Sequence, residues 1–333
     1  MRTIWWEEGL KMIDQTLLPE KLVILEVKTI RQLVEAIQSL RVRGAPALGA
    51  AGGYGVALAA QKSTFSDSEN VIQEMEMAGE MIRQSRPTAI NLAWGVDRVL
   101  RAASRCEDAD EVRERALLEA EAIAEEDLAV NRAIGKNGAR LLEDGDRVLT
   151  HCNAGRLACV GYGTALGVIR SAVAEGKDIQ VYACETRPLH QGSRLTSWEL
   201  SQDGIPVTLI CDSVSGYLMR KGKIDKAIVG ADRITSDAVF NKIGTYSHAV
   251  LARFHQVPFY VAAPLSTFDR VLQEADVTVE ERDPDEVRRL GTVQLAPRDV
   301  EVYNPAFDAT PLEYVSALIT EKGIFRPPLM PPV

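Results

Sequence analysis

The sequence lacks the features of a disulfide-stabilised or metal-binding protein. It has five cysteines, an odd number, and none of them forms a CxxC pair. Its four histidines form no HExxH motif. We therefore expect neither a disulfide framework nor a metal site, and the free thiols favour a reducing, cytoplasmic location.

Long apolar runs and basic clusters are also missing. The longest uncharged run, residues 44–61, is rich in Gly and Ala, and the N-terminus has no apolar signal-peptide core. Lys and Arg number 38 against 47 Asp and Glu, which gives a net charge of −9. An acidic chain without a basic run is poorly suited to bind nucleic acid or an anionic membrane. Any phosphate chemistry must therefore depend on a few well-placed cations.

What the sequence does contain indicates two domains. Its 333 residues, 46% of them apolar and 26% charged, can bury a full-sized core. Up to about residue 143, apolar residues recur at helical spacing over residues 33–40, 45–61, 71–85 and 110–142. We therefore predict a smaller, mainly helical N-terminal domain over residues 1–143.

The pattern changes at Asp144, where short β-branched runs begin to alternate with helical stretches. The expected strands cover residues 146–151, 179–184, 206–211, 226–229, 257–262 and 300–303. Strands that alternate with helices predict right-handed crossovers and a parallel sheet. The sequence therefore predicts an α/β fold, with the parallel sheet in a C-terminal domain over residues 144–333.

A last helix is expected near the end of this domain. Thr310 is suited to cap its N-terminus and Pro311 to occupy its first position. Gly323 stands where a glycine commonly ends a helix.

Polar side chains follow four of the expected strands. Cys152 follows the first, Glu185 the second, Asp212 the third and Asp232 the fourth. Ligands of open α/β sheets bind outside the carboxyl ends of the strands, so these groups are candidates for a site. The competing interpretation is that they cap the following helices. It suits Asp212 better than Cys152 or Asp232, because Cys is a poor cap and a glycine lies close before Asp232.

Three turns are suited to phosphate. Arg43-Gly44-Ala45 leads into a helix, Arg86 stands in a second turn, and residues 241–245 precede another helix. A turn at a helix N-terminus offers free N–H groups and the positive end of the helix dipole. A nearby arginine or lysine adds a positive charge that also attracts phosphate. The competing interpretation for the first turn is an ordinary Pro-started helix whose small residues let another helix pack closely.

The segment GYGTALG (161–167) resembles a dinucleotide-binding fingerprint, because Glu185 follows at the end of the next expected strand. The fit is imperfect. The glycines begin ten residues after the strand rather than in its first turn, and the third glycine is one position late. A nicotinamide-dependent oxidoreductase is therefore only a weak alternative.

Longer segments carry a more specific resemblance. They are RGAPALG (43–49), RPTAINLAWGVDR (86–98), THCNAG (150–155), GYGTALGVIR (161–170), ETRPLHQGSRLTSWEL (185–200), GADRI (230–234) and NKIGTY (241–246). Together they resemble the 5-methylthioribose-1-phosphate isomerase family, in the same order and over most of the chain. That family shares a superfamily with regulatory subunits of initiation factor 2B and with ribose-1,5-bisphosphate isomerases.

The resemblance implies a homodimer with a Rossmann-like C-terminal domain, and an aldose–ketose isomerase of methionine salvage that uses no cofactor and no metal. It implies that Cys152 and Asp232 are the catalytic pair. The substrate contacts that it implies are Arg43, Gly44, Ala45, Arg86, Gln191, Asn241 and Lys242.

The chemistry of the substrate fits these two side chains. Its phosphorylated furanose ring must be opened by an acid, and Asp232 can supply the proton if an apolar pocket keeps it protonated near neutral pH. As a thiolate, Cys152 can abstract the proton at C2 and give an enediol. As a neutral thiol it can only stabilise charge, which favours a hydride shift. The residues leave both routes open.

Two departures from the family pattern bear on the site. Cys159 stands where the family has Thr, so a second thiol is a candidate. Residues 235–240 form a shorter segment than the family pattern and carry a bulky Phe. This leaves open whether the 5-substituent is methylthio or deoxy. A catalytically silent regulatory subunit is the alternative of another class, but it need not keep both Cys152 and Asp232.

Overall fold

The computed structural model describes residues 1–331, so Pro332 and Val333 at the end of the predicted second domain lie outside the described residues. The chain divides into two compact units. The first comprises Met1–Asn131 with Gly155–Gly163, and the second comprises Arg132–Ala154 with the chain from Thr164 onwards. These bounds differ from the predicted division after residue 143.

Hydrogen bonds within each unit explain the difference. In the first unit, the loop at residues 155–163 is joined to the N-terminus, because the Thr3 N–H donates to the Val160 carbonyl at 2.8 Å. In the second unit, the Asn137 side chain donates to the Thr320 carbonyl at 2.9 Å. A single cut after residue 143 therefore falls inside Arg132–Ala154 and assigns residues 155–163 to the second domain.

The first unit begins with an antiparallel three-stranded sheet and continues with helices. Its elements are β1 (Ile4–Trp6), β2 (Leu10–Ile13), β3 (Ile24–Val27), α1 (Ile30–Gln38), α2 (Ala45–Lys62), α3 (Ser68–Ser85), α4 (Ile90–Ala103) and α5 (Ala109–Ala139), whose last turns lie in the second unit. The predicted helices are confirmed with shifted ends. The small sheet was not apparent in the sequence, because its strands are only three or four residues long.

Helix α2 is buried along most of its length because its small residues let α4 approach closely. A Cβ atom added at Gly52 would lie 2.4 Å from the Leu92 carbonyl oxygen, and one added at Gly95 would lie 2.0 Å from the Gly49 carbonyl oxygen. The expectation that small residues permit close helix packing is confirmed. Across residues 1–331, no helix has both the length and the apolar character that a membrane crossing requires.

The second unit contains the predicted parallel sheet. Its elements are β4 (Arg147–Thr150), α6 (Ala165–Ala174), β5 (Gln180–Cys184), α7 (Ser197–Gln202), β6 (Val207–Ile210), α8 (Val214–Arg220), β7 (Lys226–Val229), β8 (Arg233–Ile234), β9 (Ala238–Lys242), α9 (Thr245–Phe254), β10 (Phe259–Ala262), α10 (Asp285–Arg288), β11 (Arg289–Leu290), β12 (Val293–Gln294), β13 (Phe307–Pro311), β14 (Ala317–Thr320) and β15 (Gly323–Phe325). The seven-stranded order is β15-β14-β10-β7-β4-β5-β6, and only β15 runs antiparallel to its neighbour. A smaller antiparallel sheet has the order β13-β9-β8.

The predicted last helix is wrong. Thr310 and Pro311 lie in β13, where they pair with Val239 and Ala238 of β9. The apolar run that follows forms β14 against β10, and Gly323 opens the final strand. Pairing with distant strands therefore overrides the local capping signals, as tertiary context commonly does. The strand expected at residues 300–303 is also wrong, because this exposed segment has no regular structure.

We predict that Gly95→Ala destabilises the first unit, because the added methyl group would meet the Gly49 carbonyl oxygen at 2.0 Å. Overpacking of this kind costs roughly 1–3 kcal/mol. The free energy of unfolding in urea and Tm by calorimetry measure the loss.

Gly49→Ala is the matched control on the same helix pair. Its added Cβ would lie 3.4 Å from the Asn91 carbonyl oxygen, which is an ordinary contact, and Ala favours a helix over Gly by about 1 kcal/mol. We expect no loss of stability in this variant. Equal losses in the two variants, or no loss in Gly95→Ala, would show that the α2–α4 contact does not limit side-chain size.

Candidate functional site

The carboxyl ends of two adjacent parallel strands, β4 and β7, bring the predicted catalytic pair to one edge of the sheet. Strand β4 pairs in parallel with both β5 and β7. Cys152 follows β4, and Asp232 follows β7. The two segments approach closely, since a Cβ atom added at Gly230 would lie 2.7 Å from the Ala154 Cβ.

Cys152 has an unusual backbone conformation that two threonines hold. Its φ of 63° lies in the left-handed region, which a side chain rarely adopts. The Cys152 N–H donates to the Thr186 hydroxyl at 2.9 Å, and the Thr196 hydroxyl donates to the Cys152 carbonyl at 2.7 Å. Both backbone polar groups of this residue are therefore satisfied by side chains, and the residue is buried, with 9% of its surface exposed.

Asp212 supports Thr186 in turn. The carboxylate accepts the N–H groups of Thr186 and Arg187, each at 2.8 Å. Thr186 is itself left-handed, with φ of 65° and no exposed surface. The interpretation of Asp212 as a cap of the following helix is wrong, because its carboxylate binds the segment after the neighbouring strand β5.

A buried ion pair supports Thr196. The Asn153 amide donates to the Thr196 hydroxyl at 3.2 Å and to the Glu199 carboxylate at 2.9 Å. Glu199 is fully buried and accepts from the Arg170 guanidinium at 2.7 Å. Thr186, Thr196 and Glu199 were not singled out from the sequence, since only the folded chain brings them to Cys152.

Gln191 contributes an amide at the start of a π-helical turn, Gly192–Thr196. Its side chain is 5% exposed, and its Oε1 atom has no hydrogen-bond partner among residues 1–331. A buried polar atom without a partner is costly, so it is expected to bind a group that completes the site.

Asn241 and Lys242 end strand β9 and are both buried. The Asn241 amide donates to the Thr245 hydroxyl at 3.0 Å. The Lys242 ammonium lies 4.9 Å from the centre of the Phe307 ring, so its charge is held over an aromatic face.

The expectation that backbone N–H groups of this turn and the start of α9 bind phosphate is wrong for Ile243, Gly244 and Tyr246. The Ile243 N–H donates to the Ala306 carbonyl at 3.1 Å. The N–H groups of Gly244 and Tyr246 donate to the Asp308 carboxylate, at 2.7 and 3.2 Å. Burial raises the pKa of this carboxyl to about 6. The positive end of α9 is therefore already occupied by an acidic side chain, which leaves the Lys242 ammonium as the feature suited to an anion.

Asp232 is exposed rather than enclosed in the apolar pocket that the sequence interpretation requires. Its N–H donates to the Phe240 carbonyl at 2.9 Å, at the start of the smaller sheet. Its carboxyl group is therefore accessible to a ligand.

The remaining predicted contacts belong to the first unit. Gly44 caps the start of α2 with φ of 89°, and a Cβ atom there would lie 2.3 Å from the Ala158 carbonyl oxygen, so only glycine fits. Ala45 begins the helix. Arg86 is the C-cap residue after α3, and Arg43 and Arg86 are both half-buried.

The second thiol candidate and the glycine motif also lie in the first unit or at its edge. Cys159 is buried, and its thiol donates to the Asn131 side chain at 3.5 Å. A Cβ atom at Gly163, where φ is 89°, would lie 2.4 Å from the backbone of Gly155. Gly163 therefore lets the two ends of the loop at residues 155–163 approach each other, which gives a structural reason for a glycine in the GYGTALG segment.

Two histidines next to the site are neutral at pH 7. Burial lowers the pKa of His151 to about 4 and that of His248 to about 3. Their rings meet edge to face, with centroids 4.7 Å apart.

Known proteins with similar sequences carry isomerase names. The family model described as the initiation factor 2 subunit family matches residues 41–327. A protein of Methanosarcina acetivorans, provisionally named methylthioribose-1-phosphate isomerase, is 60% identical over 99% of this chain and 96% of its own length. The 5-deoxyribose 1-phosphate isomerase of Moorella thermoacetica is 51% identical over 98% of this chain and 94% of its own length.

Two solved structures match nearly the whole chain. The 5-methylthioribose 1-phosphate isomerase of Pyrococcus horikoshii has a TM-score of 0.94 at 42% identity, covering 98% of this chain and 93% of its own. An Archaeoglobus fulgidus chain described as translation initiation factor eIF-2B, subunit delta, has a TM-score of 0.93 at 58% identity, covering 98% and 96%. The family match and these full-length similarities show that the chain belongs to the initiation factor 2 subunit family, in its methylthioribose-1-phosphate isomerase branch.

Proposed function

We propose that this protein is an aldose–ketose isomerase that converts 5-methylthioribose 1-phosphate to 5-methylthioribulose 1-phosphate in methionine salvage. The family membership supports the reaction. The observation that carries the assignment within this chain is the left-handed Cys152, which lies at the same sheet edge as Asp232. The reaction needs one acid that opens the ring and one group that acts at C2 of the sugar. These two side chains can supply both.

The reaction begins when the ring oxygen takes a proton and its bond to C1 breaks. In the proton route, the Cys152 thiolate removes the C2 hydrogen as a proton and a C1–C2 enediol forms. C1 then takes up a proton while the C2 hydroxyl loses its own, which leaves a ketone at C2. In the hydride route, the C2 hydrogen moves with its electron pair to C1 while the C2 hydroxyl loses its proton. Both routes give the same ketose phosphate, and neither consumes an oxidant or a reductant.

Asp232 is the proposed acid for ring opening and the acceptor of the C2 hydroxyl proton. Because its side chain is exposed, the substrate itself must cover it and displace water from the carboxyl group. The desolvated carboxyl then favours its neutral, proton-bearing form.

We propose that the remaining predicted residues bind the sugar phosphate. Lys242 offers a buried ammonium, while Asn241 and Gln191 offer amide groups, and the unpartnered Gln191 oxygen is suited to accept a sugar hydroxyl. Arg43 and Arg86 supply guanidinium groups, with Gly44 and Ala45 at the start of α2. These cations would supply the positive charge that phosphate needs in a chain with a net charge of −9.

The Moorella relative favours 5-deoxyribose 1-phosphate as a further substrate, because the two sugars differ only at C5. The Archaeoglobus structure favours a different second candidate, a non-catalytic regulatory subunit. Such a subunit would bind a partner without turning over a sugar phosphate, so an activity assay separates the two classes.

We also propose a homodimer in the cytoplasm. The five free cysteines fit a reducing compartment. Sedimentation equilibrium of the purified chain tests the dimer, and a single 36.5 kDa species would contradict it.

We predict that the purified protein converts 5-methylthioribose 1-phosphate to its ketose without added cofactor and in the presence of a chelator. Cys152→Ser and Asp232→Asn should each lower turnover roughly 10²–10⁴-fold, the usual contribution of acid–base groups. Phosphorus and carbon NMR follow the conversion.

Cys211→Ser is the matched control, because Cys211 is an exposed thiol. This variant should keep wild-type turnover. A folded wild type that converts neither 5-methylthioribose 1-phosphate nor 5-deoxyribose 1-phosphate would favour the regulatory-subunit assignment.

We predict that Thr186→Val lowers kcat roughly 5–30-fold with little change in KM, since loss of one hydrogen bond to Cys152 costs roughly 1–2 kcal/mol. Thr186→Ser keeps the hydroxyl group and should restore most of the activity. Steady-state kinetics and Tm are measured for both variants. A change in Tm or KM without a change in kcat would contradict the positioning role of Thr186.

A further inference from the structure

Four potential metal ligands lie close together in the second unit, although they come from four separate segments of the chain. His151 follows β4, Cys184 ends β5, Asp212 follows β6, and His248 lies on α9. One ligand atom of each residue lies within 4.8 Å of all the others. His151, Cys184 and His248 are buried, whereas the Asp212 side chain is 27% exposed and gives an ion a route from solvent.

The hydrogen bonds orient both imidazoles toward the centre of this cluster. The His151 Nε2 atom lies 2.9 Å from the Ile243 carbonyl oxygen. A carbonyl oxygen can only accept, so Nε2 carries the proton and the lone pair is on Nδ1. That Nδ1 atom faces His248 Nε2 at 3.2 Å and Asp212 Oδ1 at 3.8 Å.

Ser215 determines the tautomer of His248. Its single hydroxyl proton has two potential acceptors, the His248 Nδ1 atom at 2.9 Å and the Asp212 carbonyl oxygen at 3.0 Å. If the proton goes to the carbonyl, then His248 must donate from Nδ1 to the Ser215 oxygen. The neutral His248 ring then has its lone pair on Nε2.

When the Ser215 proton goes to the Asp212 carbonyl, two nitrogen lone pairs therefore face each other at 3.2 Å. When it goes to His248 Nδ1 instead, the His248 Nε2–H group donates to His151 Nδ1. A cation stabilises the first arrangement, because it lies between two lone pairs that otherwise repel. Metal-binding histidines typically donate their second N–H to a carbonyl or another polar group, which is the arrangement that Ile243 and Ser215 provide here.

The donor set and spacing fit zinc. Ligand atoms about 2.0–2.3 Å from a tetrahedral zinc ion are about 3.3–3.6 Å apart. Two of the separations, 3.2 Å between the imidazole nitrogens and 3.8 Å from His151 Nδ1 to Asp212 Oδ1, lie on either side of this range. The widest separation, up to 4.8 Å, has to shorten by about 1 Å.

We propose that His151, Cys184, Asp212 and His248 bind one divalent transition-metal ion, with zinc the best match to two imidazoles, one thiolate and one carboxylate. The two anionic ligands balance the charge of the ion, and the Cys184 proton is released on binding. The ion has a structural role and takes no part in the isomerisation. Through Asp212 it reinforces the segment that holds Thr186, and through Thr186 the backbone of Cys152.

The sequence gives no signal for this site, because consecutive ligands are 28 to 36 residues apart and form no short motif. The site also goes beyond what the family resemblance implies, which is a reaction without metal. Its test therefore uses metal binding rather than turnover.

The experiment measures metal content and metal spectroscopy on the untagged full-length protein. After growth with zinc, wild-type protein should contain about one zinc per chain by mass spectrometry. Removal of zinc and addition of cobalt should give a thiolate-to-cobalt charge-transfer band in the near ultraviolet. Cys184→Ala should abolish the band, and His248→Gln should abolish binding or weaken it at least tenfold.

Cys211→Ala is the control, because this exposed thiol lies outside the cluster. It should keep the wild-type zinc content and the cobalt band. Zinc should also raise the Tm of wild-type protein and of the control but not that of His248→Gln. A wild-type protein that binds neither zinc nor cobalt would overturn the proposal, as would equal metal content in Cys184→Ala. An active but metal-free enzyme would overturn this site and leave the isomerase assignment intact.

Discussion

The candidate site depends on the backbone of one residue. Cys152 adopts a left-handed conformation that costs on the order of 1–3 kcal/mol, and such strain persists only where the surroundings hold it. Here the surroundings are two threonine hydroxyl groups, one on the N–H and one on the carbonyl of Cys152. The parallel sheet makes this possible, because it brings the segments that carry Thr186 and Asp232 to the edge where Cys152 emerges.

Acidic groups that are fully or partly buried hold the loops around that edge. Asp212 binds two N–H groups of the segment after β5, Glu199 binds Asn153 and a guanidinium, and Asp308 binds the N–H groups that open α9. Each carboxylate therefore stabilises a loop, and none of them is a group that attracts phosphate. The proposed phosphate-binding cations, Lys242 in particular, are the groups that would attract phosphate, and this would reconcile an acidic protein with a phosphorylated substrate.

The sheet could be predicted from the sequence because its strands are short β-branched runs that alternate with helices in a regular order. Cys152 and Asp232 could be singled out as candidates because they stand at strand ends within long family segments. Thr186 and Thr196 could not, since they reach Cys152 from 34 and 44 residues away. The same limit explains the error at Thr310, whose local signals predict a helix, whereas its partner Val239 lies in a distant strand. Likewise, nothing near Gly244 in the sequence shows that Asp308 occupies the start of α9.

The most direct test of this account is a crystal structure of the Cys152→Ser variant with 5-methylthioribose 1-phosphate bound. The account predicts that the hydroxyl at position 152 lies about 3–3.5 Å from C2 of the sugar, as a near-attack geometry requires. It also predicts that the Asp232 carboxyl is covered by the sugar and within hydrogen-bond distance of the ring oxygen or the C2 hydroxyl. A sugar bound with its C1–C2 bond directed away from position 152 would contradict the account, as would an Asp232 still surrounded by water.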